Sequence, residues 1–160
     1  MAQSFKHAID ITVDDREVAS GIIPTLQETE GVTVRVRRLE VGDYLIAGKL
    51  IVERKTLNDF AASIVDGRLF SQASRLASLP LRHAVILEGT AADLSCTNIH
   101  REAIQGAIIS LTIIFGIPLL RSRDINESAH LLIYAAEQLR KRSSYNSIRN
   151  GKRPKGKRRL

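Results

Sequence analysis

Apolar residues in this chain follow two periods that take turns along its length, and that alternation restricts the fold more than any other feature. Ala8-Ile9-Asp10-Ile11-Thr12-Val13 and Val32-Thr33-Val34-Arg35-Val36-Arg37-Arg38-Leu39 are β-branched and alternate with period two, which predicts strands. Between them Val18, Ile22, Ile23 and Leu26 recur at helical spacing from Glu17 to about Glu30, with Gly31 as the stop and Pro24 in or near the first turn. Tyr44-Leu45-Ile46 and Leu50-Ile51-Val52, separated by Ala47-Gly48-Lys49, predict a hairpin with a three-residue loop. Helices are expected over about 57–65 and 69–79, then a buried strand at 84–87. A helix over about 100–115 should stop at Gly116, followed by a short strand at 118–120. A last helix, capped by Asp124 or Asn126, should run to about Arg140 with Leu131, Leu132, Ala135 and Leu139 inward. Strands alternating with helices imply an α/β protein whose mixed central sheet carries helices on both faces.

With no Trp, three Tyr and four Phe, the core of such a domain has to be aliphatic. The single cysteine, Cys96, excludes a disulfide framework and a cysteine-based zinc cluster. No apolar run reaches the length of a membrane span and the start of the chain lacks a signal-peptide pattern, so a secreted or membrane protein is not the leading reading. Charge is unevenly spread. Ten of the 24 basic residues, and none of the 17 acidic ones, fall between Arg140 and Leu160. The expected organisation is one domain over 1–141 and a basic tail over 142–160 that is disordered in isolation and attracted to a polyanion. Its plainer alternative is a solubilising or nuclear-address segment.

Chemistry concentrates in Gly42-Asp43, Glu53-Arg54-Lys55 and Asp59. If the hairpin loop centres on Gly48, paired positions sum to 96 and Asp43 lies opposite Glu53, close enough to share a divalent cation. Lys55 leaves the same strand face as Glu53. Two carboxylates suit Mg²⁺ or Mn²⁺, which keep waters and substrate phosphate oxygens among their ligands, and an adjacent ammonium can neutralise charge on a reacting phosphorus. A solvated strand tip would explain the same few residues. The four histidines show no ligand spacing, and no phosphate-cradling Gly-rich loop or Ser-His-Asp arrangement is present.

These residues resemble the GD…ERK…D signature of the XPF-type (xeroderma pigmentosum group F) structure-specific endonucleases, a branch of the PD-(D/E)xK restriction-endonuclease-like superfamily. Val13-Asp14-Asp15-Arg16-Glu17, Leu39-Glu40-Val41-Gly42-Asp43-Tyr44 and Ser63-Ile64-Val65-Asp66-Gly67-Arg68-Leu69-Phe70-Ser71-Gln72 are similar to further family segments in the right order, over about residues 8–140. The resemblance implies a three-layer α/β/α nuclease domain that cuts DNA endonucleolytically with Mg²⁺ or Mn²⁺, leaving a 5′-phosphate and a 3′-hydroxyl. It implies Asp43, Glu53 and the backbone carbonyl of Arg54 as metal ligands and Lys55 as the catalytic lysine. Asp14 would hold a metal water or a second ion, and Asp59 would orient Lys55 or Arg54. Arg16, Arg54 and Arg68 are implied phosphate contacts, with Gln72 a weaker one. In the tail, Lys152, Arg153, Lys155, Lys157, Arg158 and Arg159 are the candidate DNA-gripping residues.

The chain departs from the family in having no room for the tandem helix-hairpin-helix module or for a helicase, so it is expected to be a stand-alone nuclease domain. Grip on DNA would fall to the tail or to a separate partner protein. Apolar residues on several faces of 104–117 (Ile108, Ile109, Ile113, Ile114, Phe115, Ile117) suggest a homodimer, although full burial would account for them too. Two other classes remain open from the sequence: a non-cleaving DNA-binding or scaffold member of the same family, and a basic nucleoid- or RNA-binding protein. The expected location is the cytoplasm, associated with the nucleoid, in a prokaryote or phage, and the nucleus in a eukaryote.

Overall fold

The computed structural model describes residues 7–95 and 97–149. A six-stranded mixed sheet in the order β2-β1-β3-β4-β5-β6 runs through its centre. The strands are β1 (Ile9–Asp14), β2 (Val32–Arg37), β3 (Tyr44–Ile46), β4 (Leu50–Thr56), β5 (Arg82–Glu88) and β6 (Leu119–Ser122). Pairing is parallel for β1 with β2 and for β4, β5 and β6, and antiparallel on both sides of β3. The helices are α1 (Ile22–Gln27), α2 (Leu57–Val65), α3 (Leu69–Ala77), α4 (Ala91–Leu94), α5 (Arg101–Ile109) and α6 (Ile125–Arg149). This is the expected three-layer α/β/α arrangement.

Strand alternation sorts the core into two halves. Ile9, Ile11 and Val13 of β1, Tyr44 and Ile46 of β3, Val52 and Ile86 pack under α1 and α6, against Ile22, Leu26, Leu132 and Ile133. Ile51, Val85 and Leu87 pack on the other face under α2, α3 and α5, against Phe60, Leu69, Leu76, Ile104 and Leu111. Both halves are almost wholly aliphatic, and burying each such side chain contributes about 1.5–3 kcal/mol. No helix among the described residues is long and apolar enough to cross a membrane.

Several elements differ from expectation for local reasons. The segment after β1 is not one helix. Asp14 caps a short 3-10 helix (Asp15–Ser20), Gly21 turns out of it at φ +78°, and α1 then begins with Pro24 in its first turn. The helix over 100–115 changes at Ser110 into a π-helical turn (Ser110–Ile114) before Gly116 ends it at φ +67°. A short α4 with a Thr90–Asp93 capping box was not anticipated. At α6 the cap is Asp124, whose carboxylate accepts from the Glu127 amide at 2.8 Å. That helix continues to Arg149, so residues 142–149, expected to open a disordered tail, belong to it. Within those turns Arg142 and Arg149 suit the negative end of the helix dipole. The candidate contacts Lys152, Arg153, Lys155, Lys157, Arg158 and Arg159 lie outside the described residues.

Candidate active site

The hairpin places the two carboxylates as its register requires. Tyr44 pairs with Val52, Leu45 with Ile51 and Ile46 with Leu50, so Asp43 and Glu53 follow at the mouth of the same ladder. Asp43 is fixed by its main chain on both sides: its amide donates to the Val52 carbonyl at 2.9 Å, and its carbonyl accepts from the Asp14 amide at 2.8 Å. Its side chain is pinned as well, Oδ2 accepting from the Arg54 amide at 2.8 Å. The turn into this position needs glycine. Gly42 has φ +81°, and a Cβ built there would lie 2.4 Å from Ile51 Cγ2. Gly42→Ala is expected to cost about 2–4 kcal/mol, the left-handed backbone and the overpacking adding together. Denaturant unfolding measures this, and a loss below about 0.5 kcal/mol would contradict the steric reading.

Because Ile51 faces α2, α3 and α5 while Val52 faces α1 and α6, the next three residues divide the same way. Glu53 and Lys55 line a cavity of about 170 Å³ beside α3, together with Asp43, Arg16, Gln72 and Arg75. Burial raises the proton affinity of Asp43, and the neighbouring Glu53 charge raises it further against the opposing Arg54 amide. Glu53 is raised too, by burial first, with Lys55 partly offsetting it. Within the cavity wall the Oε1 atom of Gln72 is buried and has no hydrogen-bond partner. The site thus combines two partly buried acids that resist ionising together, one ammonium, and an unanswered polar atom.

Lys55 is held by α2, though not through Asp59. Its Nζ donates to Ser63 Oγ at 3.3 Å, and Ser63 in turn donates to the Asp59 carbonyl at 2.8 Å. The Asp59 side chain is exposed in the first turn of α2, where Thr56 caps its amide at 3.1 Å, so the expected orienting contact to Lys55 or Arg54 is not made. Ser63, one turn on, fills that role because it is on the buried side of the helix.

Arg54 also departs from expectation. Its guanidinium points to the opposite face of the sheet, away from the pocket and from any phosphate there. It donates to both oxygens of Glu88 at 2.7 and 2.9 Å and to Glu17 at 3.1 Å. Tyr44 donates to the same Glu17 oxygen, and Ser128 of α6 donates to Glu88 at 2.6 Å. This network ties β3, β4, β5, α6 and the 3-10 helix together directly behind the acids. Sequence reading missed Glu17, Glu88 and Ser128 as its members; an acid ending the apolar run of β5 was the only visible signal for Glu88.

Asp14 is likewise structural here. Its fully buried carboxylate accepts from the Arg16 amide at 3.0 Å, from Arg16 Nε at 2.6 Å and Nη2 at 3.2 Å, and from the Leu39 amide at 2.7 Å. The Arg16 guanidinium in particular lowers its pKa to about 2. With four donors engaged it positions Arg16 at the pocket rim instead of standing in the pocket, as the expected metal-water role would require. Arg16 remains half exposed there. Arg68 is exposed, outside the pocket, and paired with Asp66 at 3.0 Å.

Comparison with known proteins gives a consistent picture. The ERCC4 domain family profile matches residues 13–135. Over 130 residues, 81% of the chain, it is 39% identical to the 3′-flap repair endonuclease Xpf of Saccharolobus solfataricus, of which it covers 55%. It is 40% identical over 66% of its length to 13% of a putative ATP-dependent RNA helicase of Methanocaldococcus jannaschii. The chain therefore spans about half, or much less, of the length of these relatives. Among solved structures, XPF from Aeropyrum pernix in complex with DNA superposes with a TM-score of 0.73 at 36% identity, over 82% of this chain and 65% of that one.

Proposed function

The chain belongs to the ERCC4-domain family of XPF-type nucleases, and on that premise we propose that it is a metal-dependent endonuclease hydrolysing phosphodiester bonds in branched or flapped DNA during repair or recombination. The observation that carries this reading is the convergence of Asp43, Glu53 and Lys55 on one face of the hairpin, around a single cavity. The Saccharolobus relative, whose name states 3′-flap repair endonuclease, supports the substrate class.

A hard divalent cation fits the donor set. Two neighbouring acids, both raised in proton affinity by burial and Asp43 further by the Glu53 charge, are the arrangement a cation relieves, and the donors are all oxygen. Among the described residues no larger group of His, Cys, Asp or Glu side chains converges, which suits an ion that keeps several waters, Mg²⁺ or Mn²⁺. Asp43 and Glu53 would hold it, with the main-chain carbonyl of Arg54 as the further ligand that the family resemblance implies. Once bound, such an ion supplies a Lewis acid and eases deprotonation of water.

The remaining work belongs to the chain. Lys55, steadied by Ser63, presents an ammonium to the charge that develops on phosphorus. Arg16, braced by Asp14, offers guanidinium donors to a phosphate at the rim. Gln72 offers its free oxygen to water or a sugar hydroxyl. We also propose that the chain pairs with a second copy through the 104–117 segment. Ile104 and Leu111 are buried there, while Ile113 and Ile114 on the same stretch are 73% exposed and the next residue, Phe115, sets its ring 6.1 Å from that of the exposed Phe70.

The test incubates labelled flap, splayed-arm and linear duplex DNA with the protein in Mg²⁺, Mn²⁺ or EDTA. Cleavage should need the metal and favour the branched substrates, and Lys55→Ala should slow it by about 10²–10⁴-fold with binding retained. Binding without cleavage under every metal condition would instead support the non-cleaving scaffold reading.

A further inference from the structure

We propose that the sheet face of β1 and β2 that none of the described helices covers, carrying Arg35 and Arg37, binds the phosphate backbone of the DNA that leads into the pocket; the inference rests on the nuclease reading above and extends it to the path of the substrate.

Register decides which way these arginines face. Ile11 pairs with Val34 on one side and with Ile46 on the other, and all three pack toward α1 and α6. Thr12, Arg35 and Leu45, their neighbours one residue along, therefore share the opposite face, the one on which Asp43 and Glu53 stand. Helices α2, α3 and α5 cover that face only from β3 onward. Among the described residues β1 and β2 contribute nothing to the core beneath those helices. Thr33, Arg35 and Arg37 are exposed there.

A groove crosses this open face, lined by Asp10, Thr12, Arg35, Arg37, Leu45 and Ala47. It begins where the pocket ends, since Leu45 is the next residue after Asp43 on that side of β3. In the β1–β2 register Arg37 stands next to Asp14, the residue that braces Arg16 at the pocket rim, with no ion pair between them; Arg35 lies one step farther out. The carboxylate of Asp10 comes last, at the hairpin loop and farthest from the acids.

The charge on this track is uncommitted. Arg16 is paired with Asp14 and Arg38 with Asp15 at 3.0 Å, whereas among the described residues Arg35 and Arg37 enter no ion pair. Two guanidinium forks at alternate positions of one strand stand roughly 6.6 Å apart along it, and each can take a phosphate bidentately. Charged side chains on an edge strand also deter sheet-to-sheet aggregation. That role alone would leave DNA affinity unaltered when the arginines are replaced, and this separates the two.

The experiment compares the full chain with Arg35→Gln/Arg37→Gln, Arg35→Lys/Arg37→Lys and the single Arg37→Gln. Affinity for a labelled flap DNA is read by fluorescence anisotropy in EDTA over a salt series, with melting midpoints to confirm folding. In the double glutamine variant, affinity should fall at least tenfold and the log–log salt slope should shrink by about 1.8, the value for two lost phosphate contacts. The lysine pair should restore most of that slope and the single variant should lose about half of it. Single-turnover cleavage at saturating protein should stay within about threefold of wild type, because the chemistry is untouched. An unchanged affinity and slope in a folded double variant, beside a wild type that binds and cuts, would overturn the proposal and leave the nuclease reading standing. A wild type that does not bind DNA would sink both.

Discussion

Asp43→Asn is expected to abolish cleavage, by at least about 10³-fold or roughly 4 kcal/mol of barrier, while making the metal-free protein more stable. The substitution is isosteric, and the Arg54 amide that donates to Asp43 Oδ2 can donate equally to the asparagine oxygen, so the hairpin should keep its shape. What disappears is one of two adjacent, partly buried acids, which in the folded state must take up a proton or ionise beside the other. Burial and Glu53 push Asp43 up to about 8, so the folded state binds a proton more tightly than the unfolded chain does. Where the folded state holds more protons, stability falls as pH rises. The metal-free wild type should therefore lose stability between about pH 4 and pH 8, and Asp43→Asn should flatten that slope. A gain of about 1–2 kcal/mol at neutral pH would raise the melting midpoint by about 3–6 °C. Retention of cleavage within tenfold of wild type would remove Asp43 from the reaction.

Arg54→Met should be the most destabilising single change considered, at about 3–5 kcal/mol, because it strands the buried Glu88 and the partly buried Glu17 without a counter-charge. Cleavage should fall with it, since β4 carries Glu53 and Lys55 on its other face. The origin of that loss can be separated by neutralising the whole network. In Glu17→Gln/Arg54→Met/Glu88→Gln no uncompensated charge remains, and most of the stability should return, with cleavage within about tenfold of wild type. If unfolding free energy recovers and cleavage does not, the Arg54 side chain takes a direct part in the reaction, contrary to its position here. If Arg54→Met costs less than about 1 kcal/mol, the network does not support the site at all.

The hairpin shows why part of the site was legible in the sequence. A three-residue loop sets the register, and register sets which side chains face each other, so Asp43, Glu53 and Lys55 converge as the spacing of 43, 53 and 55 implies. The same period-two rule places Arg54 on the far side, and an assignment of its guanidinium to phosphate by resemblance alone ran against that rule. Asp59 illustrates a different limit. Four residues after Lys55 it was a reasonable neighbour, yet the helix start capped by Thr56 turns it to solvent and brings Ser63 inward instead. The Glu17–Arg54–Glu88–Ser128 network could not be read from any pattern, because its members come from four separate segments joined only by the fold. The basic face of β2 lies between these cases. Its alternation showed a wet face, but only the strand order β2-β1-β3-β4 puts that face on the side of the acids.

The most direct measurement is calorimetric titration of Mn²⁺ into the full chain, without DNA, beside Asp43→Asn and Glu53→Gln. Wild type should bind the ion with release of protons from the paired acids, and each variant should bind at least tenfold more weakly, with the proton release diminished. Equal Mn²⁺ affinity in all three proteins, with no proton release, would show that these two carboxylates do not share a cation.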